Sequence, residues 1–173
     1  MTDFLALRNR FLYDAQVPTF GDSPVHRPSS ALELMGRLRV AEVLVTRAPI
    51  RTFALVTGLS EMHRALAAAT WQTTFPILDS DEHLLGVVSA ASIGLMAPHD
   101  GVHAPVVASD LMQPPTVLQL DDDLRKAGEL LLGSGLHQLP VLTADGKVAG
   151  FIDESHVTRA YLKSMAEPQR TAG

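Results

Sequence analysis

Two stretches of this chain, TTFPILDSDEHLLGVVSAASI and HQLPVLTADGKVAGFIDESHV, can be laid one on the other without a gap. Placing Pro76 over Pro140 also places Asp81 over Asp145, Gly86 over Gly150 and Ile93 over Val157. Upstream, LSEMHRALAAA matches LRKAGELLLGS, and TRAPIRTFAL matches MQPPTVLQLD, with small length differences. An internal repeat restricts the architecture more than any composition does, because each copy must form the same supersecondary unit. Each copy reads as strand, helix, strand, hairpin turn, strand, helix, so the expected fold class is α/β.

The second copy gives the clearest physical reading. Thr116–Leu120 alternates and is rich in β-formers, which predicts a strand. Asp121, Asp122 and Asp123 supply a helix cap and negative charge at a helix start. Leu124, Ala127, Leu130 and Leu131 then fall on one helical face, and Gly133 and Gly135 are expected to stop that helix. Leu139–Leu142 and Val148–Ile152 flank Ala144-Asp145-Gly146, a hairpin signal. Asp153 is placed to cap a second helix whose face carries Val157, Ala160 and Tyr161. Glu154 sits in its favourable first turn. In the first copy Ser89 takes the cap, with Ile93 and Met96 on the face.

The flanks differ in kind. Phe4, Leu7, Phe11 and Ala15 have helical spacing, and VPTFGDSPVHRPSS reads as an extended linker. Ser30-x-x-Glu33 is a capping box that should open a short helix through Leu34, Met35 and Leu38. The expected organisation is residues 1–36 as N-terminal helix and linker, 37–101 as the first repeat, 102–166 as the second, and 167–173 as a tail.

Charge and composition narrow the function classes. Fourteen basic against nineteen acidic residues give a net charge of −5, which argues against a nucleic-acid partner. The absence of cysteine excludes disulfides, thiolate metal sites and a cysteine nucleophile. No apolar run approaches the ~18 residues of a bilayer span, and Asp3 and Arg8 interrupt the short apolar start. There is no Gly-rich phosphate loop, nucleophile elbow or H-E-x-x-H. Asp153-x-x-His156, with His137 and Glu154 near, is a weak metal pattern with no third ligand secured, so neither a metal nor catalysis is expected.

Two such copies, each with an apolar-Pro hairpin and a Gly-apolar-apolar-polar-x-x-polar exit, resemble tandem CBS domains. The resemblance is most specific over DLMQPPTVLQLDDDLRKAGELLLGSGLHQLPVLTADGKVAGFIDESHVTRAYL and covers about residues 38–165. It implies two repeats packed as a pseudo-two-fold pair, with adenine nucleotides bound in clefts between them. The stretch LALRNRFLYDAQVPTFGDSPVH is similar to the segment that joins the last membrane helix of bacterial CLC-type chloride channels to a cytoplasmic CBS pair. That likeness implies a regulatory module at the inner face of the cell membrane, joined to a membrane channel domain. The alternatives are a stand-alone adenylate-sensing CBS protein and an assembly scaffold that binds no ligand.

In nucleotide-binding members the exit motif carries Thr or Ser toward phosphate and Asp toward the ribose. Here Asp153 and His156 stand in those places in the second copy, and Ser89 and Ser92 in the first. The resemblance assigns a purine slot to Thr116, Leu139 and Pro140 with His137 at its rim, and to Ile50, Phe75 and Pro76 in the first copy. Lacking the acid in both copies, the chain should bind AMP, ADP or ATP only weakly, as regulatory ligands rather than required cofactors. The apolar helix residues Leu130, Leu131, Val157, Ala160 and Tyr161 exceed what one small sheet pair covers. With the resemblance, they imply a homodimer.

Overall fold

A computed structural model describes residues 28–44, 49–96 and 105–166. The architecture is α/β. Helices α1 (Pro28–Arg37) and α2 (Val40–Val43) lead into a first repeat of α3 (Leu59–Ala68), β1 (Thr74–Leu78), β2 (Leu84–Ser89) and α4 (Ala90–Leu95). Helix α5 (Ala108–Leu111) then leads into a second repeat of β3 (Leu118–Gln119), α6 (Leu124–Ser134), β4 (Gln138–Leu142), β5 (Val148–Asp153) and α7 (Glu154–Ala166). The expected N-terminal helix, linker and tail lie outside the described residues. No described helix is long and apolar enough to cross a membrane.

The two hairpins are the best-matched parts of the repeat. β1 pairs antiparallel with β2 and β4 with β5, and each pair shifts register at the same place, after Ile77 and after Val141. The hairpin turns differ in one telling residue. Gly146 takes φ 82, and its counterpart Glu82 takes φ 65, a left-handed conformation that costs little for glycine and more for a residue with a Cβ. The Glu82 side chain reaches across to Lys147 Nζ on the other hairpin, at 2.5 Å.

The lead-in segments are exchanged between repeats. Val40 N–H donates to Asp122 O at 2.8 Å and Ala41 N–H to Leu120 O at 3.0 Å, while Leu124 N–H donates to Leu38 O at 3.0 Å. These bonds tie the segment before the first repeat to the second. The mirror set ties the segment before the second repeat to the first: Ala108 N–H to Thr57 O at 2.8 Å, Ser109 N–H to Leu55 O at 3.0 Å, and Leu59 N–H to Val106 O at 3.1 Å. Even the caps are matched. Glu42 accepts the Arg39 N–H, and Asp110 accepts the Val107 N–H, each at 2.9 Å. The cores follow the same exchange. Val40 is buried among Leu118, Leu124, Leu139 and Ile152, and Ala108 among Phe53, Met62, Phe75 and Ile77.

Where β1 meets β4, the repeats bond through buried polar groups. Thr74 and Gln138 are counterparts in the repeat, and they face each other: Thr74 Oγ1 donates to Gln138 O at 2.7 Å. The Gln138 carboxamide accepts the Thr73 N–H at 3.0 Å and donates to Trp71 O at 3.4 Å. Trp71 also packs edge-on against Phe151 of the second repeat, ring centroids 5.9 Å apart.

Several expectations are corrected. The leading strand of the first copy is reduced to one parallel bridge, Phe53 to Ile77. The reason is that the buried Gln72 side chain accepts from Arg51 N–H and donates to Arg51 O, satisfying the backbone that a longer strand would use. In the second copy the strand contracts to Leu118–Gln119. Helix α1 already includes Pro28–Ser30, ahead of the capping box expected to open it. Gly133 lies inside α6, and Gly135, at φ 69, alone ends it. Leu131 and Ala160, expected on an outer face, are buried in the chain's own core, with Leu130 and Val157 packed against it.

Two stability outcomes follow. A Cβ on Gly86 would lie 2.7 Å from Gln113 O and press on the Met112 side chain, where Gln113 exchanges two backbone hydrogen bonds with Val87. Gly86→Ala should therefore destabilise by about 1–3 kcal/mol in urea unfolding. Gly150→Ala, which meets only the end of the Leu44 side chain at 3.0 Å, should cost less; an equal cost would mean the Met112–Gln113 strap yields freely. Glu82→Gly should raise the urea midpoint, since exposed ion pairs contribute little and the left-handed strain is relieved. A lowered midpoint would show that the bond to Lys147 outweighs the strain.

Candidate functional site

The strands that carry the repeat end at equivalent points, and each runs directly into a helix. At these two exits the chain presents different chemistry from the same backbone. At the first, Ser89 is the N-cap of α4: its hydroxyl accepts the Ser92 N–H at 3.0 Å and lies 2.8 Å from the Ser92 hydroxyl. This exit, Ser89-Ala90-Ala91-Ser92, carries no charge.

At the second exit Asp153 closes the start of α7. Its Oδ1 accepts from His156 N–H at 3.0 Å and from the Ser155 hydroxyl at 2.6 Å. His156 reciprocates. With its proton on Nε2, its Nδ1 accepts the Asp153 N–H at 3.2 Å; with Nδ1 protonated, that atom instead donates to Asp153 Oδ1, 2.9 Å away. The pair is a capping box with histidine in the place usually taken by Glu or Gln. Burial pushes the Asp153 carboxyl up. The Ser155 hydroxyl, the His156 backbone N–H and the His156 ring together outweigh it, so the net shift is downward and Asp153 stays ionised at neutral pH.

Between the repeats, at this second exit, lies a cleft of about 250 Å³. Trp71 and Thr73 form the wall from the first repeat. His137, Gln138, Asp153, Glu154 and Ser155 form the wall from the second. The Thr73 hydroxyl oxygen is the sole buried side-chain polar atom among the described residues with no hydrogen-bond partner. His137 is 79% exposed and sits 3.7 Å from a Glu154 carboxylate oxygen.

Of the residues singled out in the sequence, the structure brings His137 and Asp153 to this cleft together. His156 is half-buried and turned to its cap, and Thr116 is half-buried outside the cleft lining. Leu139 is fully buried in the core of the second repeat, and Pro140 is a buried β4 residue beside it. In the first repeat Ile50 is half-buried, Phe75 stacks on Phe53 in the core with centroids 5.1 Å apart, and the Pro76 carbonyl accepts the Phe53 N–H. Sequence reasoning missed Trp71, Thr73 and Gln138. The signals were available: a lone tryptophan before a strand, and a glutamine opening an apolar strand.

Among the described residues, the one His/Asp/Glu grouping with ligand atoms within 4.8 Å of one another is Asp79, Asp81 and His83. It is an exposed hairpin turn in which Asp79 accepts the Asp81 and His83 N–H groups, and those bonds, that of His83 foremost, hold its carboxyl below the usual range.

Comparison with known proteins agrees with this architecture. The CBS domain pattern matches residues 100–163. The Arabidopsis thaliana protein "CBS domain-containing protein CBSX2, chloroplastic" is 38% identical over 66 residues, 38% of this chain and 28% of the relative. Its namesake CBSX1, from the same plant, is 30% identical over 58% of this chain and 54% of its own length. The chain thus spans about half or less of these curated relatives. Among solved structures, CBSX2 in complex with AMP superposes with a TM-score of 0.58 at 27% identity, covering 72% of this chain and 96% of that one. The CBS domain of a bacterial CNNM/CorC family Mg2+ transporter, solved with ATP, shares the fold at TM-score 0.62 and 16% identity, over 78% of this chain and 94% of that one. With the exchanged lead-ins and matched hairpins already in hand, these likenesses support a tandem CBS module: the second repeat matches the CBS domain pattern, and the two repeats together share the fold of CBS-pair proteins.

Proposed function

We propose that this chain is a regulatory, non-catalytic CBS pair that binds an adenine nucleotide weakly and acts as a homodimer. The observation that carries the reading is the likeness to CBSX2, whose structure holds AMP, over 96% of that chain. The regulated partner in this reading is a membrane channel domain joined to residues 5–26, which would hold the module at the inner face of the cell membrane. Its support is the likeness of that segment to chloride-channel linkers, a segment outside the described residues.

Weak binding follows from the exits. A carboxylate accepts both hydroxyls of a ribose through charge-assisted bonds, and a serine hydroxyl is a poorer acceptor. Neither Ser92 nor His156 supplies that carboxylate. Calorimetry should place AMP and ATP in the high-micromolar range or weaker. Ser92→Asp should recover roughly tenfold, since the lost bond is worth ~1.5–3 kcal/mol and tenfold is ~1.4 kcal/mol. His156→Asp should gain less, because Asp153 and Glu154 still face the phosphate. Tight wild-type binding, or no gain in Ser92→Asp, would refute this account of the ribose contact.

The dimer reading rests on residues other than those first expected. Leu132 on α6 is 88% exposed, and Leu162 and Met165 on α7 are each 58% exposed. Light scattering at ~100 μM, well above ordinary specific dissociation constants, should show a dimer that Leu132→Glu with Leu162→Glu converts to monomer. A wild-type chain that stays monomeric there would end the dimer reading.

A further inference from the structure

The two exits of this chain differ in charge. The first N-terminus, at α4, carries only Ser89, Ala90, Ala91 and Ser92. At the second, the place where a phosphate could meet the N–H groups of α7 is already filled by a carboxylate. Asp153 Oδ1 takes the His156 N–H and the Ser155 hydroxyl. Glu154 follows in the first turn, 65% exposed, 3.7 Å from His137 Nδ1. Among the described residues, no lysine or arginine lines the cleft. A phosphate entering it would meet the carboxylates of Asp153 and Glu154 beside one histidine, at a helix start already capped by Asp153.

The opposite wall is suited to a different ligand. Trp71 presents an indole held in place by Phe151, a surface for a flat heteroaromatic ring. Beside it the Thr73 hydroxyl oxygen lacks any partner, and buried polar groups without one are rare. The carboxylates of Asp153 and Glu154 line the same cleft and are acceptors suited to sugar hydroxyls.

We propose that the cleft between Trp71 and the Asp153–Glu154 turn is selective for an unphosphorylated purine nucleoside and rejects nucleotides. This rests on the reading that the module binds an adenine ligand at all.

Trp71 is the only tryptophan in the chain, so its fluorescence reports the acidic cleft and not its counterpart. The experiment titrates the full chain with adenosine, AMP and ATP, following Trp71 emission and, in parallel, heat by calorimetry. The expected result is a Trp71 response to adenosine at a dissociation constant at least tenfold below that for AMP, a gap of ~1.4 kcal/mol, with ATP weaker still. In the double variant Asp153→Asn with Glu154→Gln, the gap should shrink at least threefold while adenosine affinity moves less. Asparagine still caps a helix, and circular dichroism checks that the variant is folded. AMP binding at Trp71 as well as or better than adenosine overturns the proposal, as does an unchanged gap in the variant. AMP heat with no Trp71 response to adenosine overturns it while leaving the adenine reading intact. No response to any of the three ligands by either method overturns both.

Discussion

Six backbone hydrogen bonds, three from each lead-in segment to the opposite repeat, hold this molecule together as one body. They measure 2.8–3.1 Å, and two of the donors, Val40 and Ala108, are themselves fully buried. Val40 and Ala108 enter the opposite cores at those points. Neither repeat, taken as a contiguous stretch of sequence, therefore contains its own complete core. The cleft depends on the same exchange, because it fixes the distance at which the Trp71 wall and the Asp153 wall face each other.

The hairpins and the helix starts were legible in the sequence because their causes are local. Gly146 supplies a positive φ, Asp153 and Ser89 cap the turns that follow them, and alternation or 3.6-residue spacing marks the rest. The exchange was not legible, since nothing in the composition of Leu38–Leu44 says which of two similar repeats it will cover. The first copy's missing strand was hidden for a related reason. Gln72 satisfies Arg51 through its side chain, a substitution of side chain for backbone that periodicity does not register. At the cleft, His137 and Asp153 were found from their place in the repeat. Trp71 was not, because it reaches the site from the other copy.

The two exits show how one turn geometry can carry two chemistries. In both, the residue before the helix accepts the N–H three residues on, and the third residue's side chain returns the contact. Serine does this without charge. Asp153 does it with a charge that the surrounding donors keep ionised. His156 is accordingly occupied in holding the turn shut and is not among the residues that line the cleft.

The contact of Thr74 with Gln138 bears on which halves can recognise each other. The two residues hold the same position in the repeat, yet one is short and the other long, and each is fully or nearly fully buried. Two first repeats brought together would set threonine against threonine and leave a void. Two second repeats would force two long amides into the room of one. A first repeat fits a second and neither fits itself, so this single position acts as an address label. It directs the halves to heterotypic partnership and guards against like-with-like mispairing as copies of the chain fold side by side.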